Sequence, residues 1–250
     1  MIPMVDLKGQ YQTLKEEIEQ GFQETLQNTS FILGPNVQAF EKEAADYLQI
    51  KHAISCASGT DALHLALLAA GIGEGDEVIT TSFTFIATAE AICYVGATPV
   101  YVDIKPDTYN IDPAKIEAAI TDKTRAILPV HLFGQPADMN AIMALAEKHN
   151  LLVIEDCAQS FGADINGKMT GSIGLASCHS FFPSKNLGCY GDGGMITTND
   201  DNIAEQLRML RNHGSKVRYY HDIVGYNSRL DELQAVVLRA KLKRLPTYNK

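Results

Sequence analysis

Ala53-Ile-Ser-Cys-Ala-Ser-Gly-Thr-Asp-Ala-Leu-His-Leu-Ala-Leu67 passes from a short apolar run through a small-residue turn into a helical pattern of apolar residues. A buried strand, a turn and a helix in direct succession form the building unit of an α/β sheet. Ser58, Gly59, Thr60 and Asp61 fall where the helix begins. Unpaired N–H groups at a helix start, a glycine that permits close backbone approach and nearby hydroxyls make an anion site suited to a phosphate. The same residues also read as nothing more than a capped helix. Asp61 suits the helix dipole but would repel a phosphate, so its carboxylate is expected to face elsewhere. Neither a Walker A pattern nor a G-x-G-x-x-G after a strand occurs here, which argues against a P-loop and a standard dinucleotide fingerprint.

Outward from this unit, strand and helix patterns alternate. Val78-Ile79, Pro99–Val102, Ala126–Val130, Leu151–Ile154, Ala176–Phe182 and Met195–Thr198 read as strands. Ala87–Tyr94, Pro113–Ile120, Asn140–Lys148 and Asn202–Asn212 read as helices between several of them. Upstream, Tyr11–Leu26 is an amphipathic pattern, followed by a break at Leu33-Gly-Pro35 and a second helix over Val37–Leu48. The alternation predicts a mostly parallel α/β sheet, with no internal repeat and no low-complexity linker.

Two further segments carry chemistry. Leu151-Leu-Val-Ile-Glu-Asp-Cys-Ala-Gln159 is an apolar run that stops at two carboxylates. Ligands of open α/β sheets gather at the carboxyl ends of strands, which places Asp156 where a cofactor would sit. A carboxylate there can keep a pyridinium nitrogen protonated and so preserve the electron sink of pyridoxal 5'-phosphate (PLP). Taken alone, an Asp after a strand reads first as a helix cap or a salt-bridged strand end. The second segment, Ser180-Phe-Phe-Pro-Ser-Lys-Asn-Leu-Gly-Cys-Tyr-Gly-Asp-Gly-Gly194, isolates Lys185 among small and aromatic residues. Partial burial there would disfavour the ammonium and leave an amine able to form a Schiff base. A surface lysine or a phosphate contact is the alternative.

Taken together and in this order, the motifs resemble the DegT/DnrJ/EryC1/StrS family of PLP-dependent sugar-nucleotide aminotransferases. The landmarks are Phe31-Ile-Leu-Gly-Pro35, Ser58-Gly-Thr60, Asp76-Glu-Val-Ile79, Glu155–Gln159, Ser180–Lys185, Gly191-Asp-Gly-Gly194 and Gly225-Tyr-Asn-Ser-Arg-Leu230, and the likeness runs from Asp6 to the last residue. It implies the fold of the aspartate aminotransferase superfamily (PLP fold type I), with a large domain of mostly parallel sheet flanked by helices. Lys185 is similar to the lysine that holds PLP as a Schiff base and then shuttles the proton. Asp156 matches the partner of the pyridine nitrogen, and Gln159 a residue near the 3-hydroxyl. Gly59, Thr60 and Ser180 match phosphate contacts, and Phe85 the aromatic that stacks on the ring, although an aromatic on a helical pattern also reads as core.

Asn227 and Arg229 match residues that reach the neighbouring subunit's site, one toward cofactor phosphate and one toward a negatively charged substrate group, which implies a homodimer with shared sites. Retention of Lys185, where the family's dehydratases carry histidine, favours transamination. The expected donor is L-glutamate and the expected acceptor a UDP-linked N-acetylated 3-oxo sugar nucleotide, such as UDP-2-acetamido-3-oxo-glucuronate, for O-antigen or lipopolysaccharide synthesis. The alternatives are a dTDP-linked or UDP-4-oxo sugar, dehydration, or a catalytically silent subunit. Family members continue for roughly another hundred residues or more. Residues 1–245 are therefore expected to form the large PLP-binding domain, and 246–250 the start of a truncated small domain.

Composition agrees. With 250 residues and 46% hydrophobic content the chain can bury a sizeable core. A net charge of -9 argues against general nucleic-acid binding without excluding an anionic nucleotide sugar. Five cysteines with no metal-like spacing read as reduced packing thiols, with Cys189 as a bystander near Lys185. Neither a signal peptide nor a membrane span is evident, so a soluble cytoplasmic protein is expected. His131 and His213 read as structural or solvated. Lys8, Lys168 and the Lys241-Leu-Lys-Arg244 run read as solvated faces or interface charges.

Overall fold

The computed structural model describes residues 5–249. Residues 1–4 of the expected large domain and Lys250 of the expected small-domain start lie outside them. Two helices open the chain, α1 (Leu7–Asn28) and α2 (Pro35–Leu48), separated at the Gly34-Pro35 break because proline's fixed φ suits the first helical position. There follow β1 (His52–Cys56), α3 (Gly59–Ala69), β2 (Glu77–Thr81), α4 (Ala87–Tyr94), β3 (Thr98–Val102), the short α5 (Pro113–Ile116), β4 (Thr124–Ile127), α6 (Met139–His149) and β5 (Leu152–Asp156). A small hairpin, β6 (Asp164–Ile165) and β7 (Lys168–Met169), precedes β8 (Ala176–Ser180), β9 (Gly194–Thr198) and α7 (Asp201–Leu210). A second hairpin, β10 (Ser215–Val217) and β11 (Tyr220–His221), leads to α8 (Glu232–Leu242) and α9 (Leu245–Tyr248).

Seven strands form one sheet in the order β1-β9-β8-β5-β4-β2-β3. Only β9 runs antiparallel to its neighbours, so the expected mostly parallel sheet is present. Its central strands are buried on both faces, and alternate residues feed one core on one face and two on the other. Ile54, Val78, Ala126, Ile154 and Ile196 pack under α3, α4 and α7. Ile79, Ile127 and Val153 pack with α6, while Ala53 and Met195 pack with α2 and α8. The result is a helix–sheet–helix sandwich whose parallel strands end along a single edge.

Three sequence expectations change. The strand over Ala126–Val130 stops at Ile127, since Pro129 has no N–H for the ladder, and contact resumes as a single bridge between Val130 and Asp156. The helix over Pro113–Ile120 is one α-turn followed by a 3-10 turn. Lys241, read as a solvated or interface charge, is buried within the chain itself, because α8 is packed by α1 on one side and α2 on another. Leu245 at the start of α9 is also fully buried in the core shared by α2 and α8.

Candidate active site

The carboxyl ends of β1, β2, β4, β5 and β8 surround a cavity of about 470 Å³. Seven residues given a cofactor role by the resemblance line it: Gly59 and Thr60 after β1, Phe85 after β2, Asp156 and Gln159 at and after β5, and Ser180 and Lys185 at and after β8. This is where strand ends of an open α/β sheet place a ligand. Asn227 and Arg229 lie instead in a neighbouring depression that shares Asp192 with the cavity.

At one end is the start of α3. Ser58 caps it, its Oγ accepting from Asp61 N at 3.0 Å, which leaves the first-turn amides of Gly59 and Thr60 without helical acceptors. Gly59 is required by packing, because a Cβ there would stand 2.5 Å from Ser180 Cβ. A Cβ on Gly194 would fall 2.2 Å from Ser58 O, so glycine alone lets β9 pass beneath the cap. Asp61 turns away as expected: its Oδ2 accepts from Ser228 Oγ at 2.6 Å, and it does not line the cavity.

At the other end Asp156 is 4% exposed. Oδ2 accepts from Thr88 Oγ1 at 2.8 Å and Oδ1 from Ala158 N at 3.1 Å. Among the described residues no cation lies within ion-pair distance. Burial pushes its pKa up, and the Ala158 amide, the Thr88 hydroxyl and the charge of Lys185 only partly offset this. A buried carboxylate left with spare acceptor capacity fits the N–H of a pyridinium ring. Lys185 is half-buried and makes no ion pair among the described residues; burial lowers its pKa and Asp156 opposes that shift. The depressed value increases the share of free amine available as a nucleophile.

Phe85 is 69% exposed and stands on the cavity wall, so the reading of it as core does not hold. Gln159 is oriented by a contact the sequence does not reveal: its Oε1 accepts from Phe133 N at 2.7 Å, which leaves the amide NH2 free. Thr88 was also missed, 68 residues from the carboxylate it serves. Behind Asp156, Glu155 is fully buried and accepts from Gly171 N, Ile173 N, Gly174 N, Ser177 Oγ and His131 Nε2. His131 is thereby structural; its Nδ1 accepts from Ala137 N, which leaves the proton on Nε2. His213 is exposed, and its carbonyl accepts from His221 Nδ1. Cys189 is buried with its thiol pushed up to about 11, chiefly by burial, which makes it an inert neighbour.

Asp156→Asn gives one separable effect. Asn can accept from Ala158 N and donate to Thr88 Oγ1, whose own proton then turns to Thr84 Oγ1 3.0 Å away. Because the folded-state pKa of Asp156 is raised, its charge opposes folding once pH exceeds the unfolded value. The PLP-free variant should therefore melt at a higher temperature than wild type at neutral pH, with the difference shrinking in acid. PLP should bind it more weakly, by about 10- to 100-fold for a lost charge-assisted bond. Thermal melts across pH and a PLP titration measure both.

A lysine amine, a buried unpaired carboxylate and a helix start meet at the carboxyl edge of this sheet, the arrangement expected of the cofactor layer of a fold type I PLP enzyme. The chain belongs to the DegT/DnrJ/EryC1/StrS aminotransferase family, whose model matches residues 12–250. It is 59% identical over 248 residues to the UDP-N-acetyl-3-dehydro-alpha-D-glucosamine 3-aminotransferase of Acidithiobacillus ferrooxidans, with 99% of this chain and 67% of that one covered. It is 54% identical to the UDP-2-acetamido-2-deoxy-3-oxo-D-glucuronate aminotransferase of Pseudomonas aeruginosa, covering 97% of this chain and 68% of that one. The structure of S. venezuelae DesV in complex with a ketimine intermediate superposes with a TM-score of 0.96 at 48% identity, over 98% of this chain and 66% of that one. Bacillus subtilis NtdA with bound cofactor PMP superposes at 0.93 and 38% identity, over 98% of this chain and 57% of that one. The chain thus spans about two thirds of the length of the relatives it matches.

Proposed function

We propose that this chain is the large PLP-binding part of a sugar-nucleotide aminotransferase that moves an amino group from L-glutamate to a UDP-linked N-acetylated 3-oxo sugar. The observation that carries this reading is the placement of Lys185 and Asp156 in one cavity whose far end is the start of α3. In the proposed arrangement the amides of Gly59 and Thr60 and the Ser180 hydroxyl hold the phosphate, Asp156 holds the ring nitrogen, Gln159 faces the 3-hydroxyl and Phe85 covers the ring. When bound, the cofactor supplies an electron sink that stabilises negative charge at the carbon losing its proton. Lys185 then acts as the base that moves this proton, an amine being suited to the task once burial has lowered its pKa. Asp156, kept from water, holds a proton on the ring nitrogen throughout.

The choice of sugar rests on the two relatives named for UDP-linked 3-oxo sugars. The homodimer reading is supported by the exposed β10–β11 hairpin and the segment after it, where Tyr219, Tyr220 and Val224 present apolar surface shortly before Asn227 in the chain. Asn227 and Arg229 would reach the partner's cavity from there. Among the described residues no helix is long and apolar enough to cross a membrane, and a cytoplasmic location is part of the proposal. So is the division of the whole protein at residue 245 into a large domain and a small one.

The test is to add PLP and then L-glutamate while recording the visible spectrum and assaying 2-oxoglutarate. Loss of the PLP band with stoichiometric 2-oxoglutarate is expected, followed by amination of UDP-linked 3-oxo sugars in preference to dTDP-linked or 4-oxo ones. A persistent band with no keto acid would instead favour dehydration or a silent subunit.

A further inference from the structure

Lys241 is 1% exposed. Lysines are almost never buried so completely without a carboxylate, yet among the described residues Lys241 has none within ion-pair distance. Its Nζ donates to the carbonyl oxygen of Gly188 at 2.5 Å and lies 4.6 Å from the centre of the Tyr190 ring. Burial lowers its pKa to about 8, and Cys189 pulls weakly the other way. Such an amine would be expected to be replaced by a Met of similar volume if packing were its only task, because removing a buried charge is often neutral or stabilising.

Both groups that Lys241 touches belong to the loop between β8 and β9, which carries Lys185. The near limb of that loop is tied to itself and to the segment after β5: Lys185 N donates to Phe182 O, Cys189 N to Phe181 O and Asn186 Nδ2 to Phe161 O, each at 2.8 Å. It is so tightly wound that a Cβ on Gly188 would fall 2.4 Å from Pro183 O. The far limb is held from α8, by Lys241 on Gly188 and by Gln234 Oε1, which accepts from Tyr190 N at 2.8 Å. The charge of Lys241 is not among the influences on the Lys185 amine, which are burial and Asp156. Any effect of Lys241 on Lys185 is therefore transmitted by the backbone of the loop.

We propose that Lys241 is a positioning residue, an ammonium clamp from α8 on the Gly188 carbonyl and the Tyr190 ring that fixes the loop so that Lys185 is presented to the cavity beside Asp156. The role assigned to Lys185 rests on the function proposed above; the clamp itself rests on these contacts. Removing the clamp loosens the loop at Gly188 and Tyr190, leaving it the Gln234 and Asn186 ties, while the sheet, whose hydrogen bonds Lys241 does not touch, stays formed.

Lys241→Met tests this in the PLP-free protein, with Lys243→Met, an exposed neighbour on the same stretch, as control. Hydrogen exchange in peptides spanning 182–190 should quicken about tenfold or more, the response to losing roughly one strong hydrogen bond, with peptides from β2 and β4 unchanged. The Lys185 amine, followed by NMR of isotope-labelled dimethyl-lysines, should titrate closer to a solvated lysine. The control should match wild type. With PLP added, the visible band at a fixed subsaturating concentration should fall. Should the Met variant fail to fold, Lys241→Gln keeps an N–H donor without the charge and should shift exchange in the same direction by less.

Unchanged exchange at 182–190, or acceleration spread evenly over the molecule with a matching loss of Tm, would overturn the clamp. A wild type that forms no visible band with PLP would instead count against the function proposed for Lys185, while exchange and titration would still decide the role of Lys241.

Discussion

Lys185→Ala is expected to abolish the visible band of bound PLP and to lower glutamate turnover by about 10²–10⁴-fold, the range typical of a lost proton-transferring group. The fold should survive. Lys185 is half-buried, makes no ion pair among the described residues and has its ammonium disfavoured by burial, so its side chain contributes little to holding the loop. Its backbone N–H to Phe182 O is kept by alanine. The expected pattern is an unchanged or slightly higher Tm with a silent spectrum. A variant that still forms the band and still releases 2-oxoglutarate would remove Lys185 from the chemistry and with it the central assignment. Absorbance and a keto-acid assay on the same sample decide the matter.

The second large effect is expected one residue before Asp156, and it concerns stability. Glu155→Ala should destabilise the protein by about 3–5 kcal/mol, the cost of breaking a buried charged network, equivalent to a Tm lower by about 10 °C or more in a chain of this size. Five donors converge on that one carboxylate, four of them from residues 171–177, which form the approach to β8. Alanine leaves three backbone amides, a serine hydroxyl and the His131 ring without an acceptor.

Burial alone would push the Glu155 carboxyl up, but the hydrogen bond from His131, with the Gly174 amide and the Ser177 hydroxyl, holds it at about 2 against an ordinary 4.5. A depressed folded-state pKa gives stability that is fully present above the unfolded value and is lost as pH falls toward 2. Melting curves between neutral pH and pH 3 should show wild type losing Tm faster than Glu155→Gln, which has no such carboxylate to protonate. Parallel curves would mean that Glu155 is not the group that titrates.

Much of the site could be read from the chain because each piece is local. Ser58-Gly59-Thr60 marks a helix start by residue type, Asp156 ends an apolar run and Lys185 stands out among small residues. A parallel sheet brings such strand ends to one edge, so three separate local readings converge in space. Thr88 carried no such signal. A threonine in the first turn of a helix has many uses, and its hydroxyl meets Asp156 only because α4 lies across the end of β5. The same holds for the Phe133 amide that orients Gln159 from a turn 26 residues away.

The strand over Ala126–Val130 was read too long because periodicity does not register the N–H that Pro129 lacks. Lys241 was misread for a related reason. In the run Lys241-Leu-Lys-Arg244 charge predicts exposure, but α8 is packed by α1, α2 and the loop after β8, and helix rotation turns Lys241 inward while Lys243 stays in water.

The sequence by itself determined the alternating α/β order, the capped start of α3 and the strand ends at or after which Asp156 and Lys185 stand, because these depend on residue type and spacing along a few consecutive residues. Only the tertiary structure decided which buried groups answer one another: Thr88 with Asp156, five donors with Glu155, and Lys241 with the carbonyl of Gly188. Such pairings join residues tens of positions apart, and they exist only once packing has excluded water and left each polar group to find its partner inside the protein.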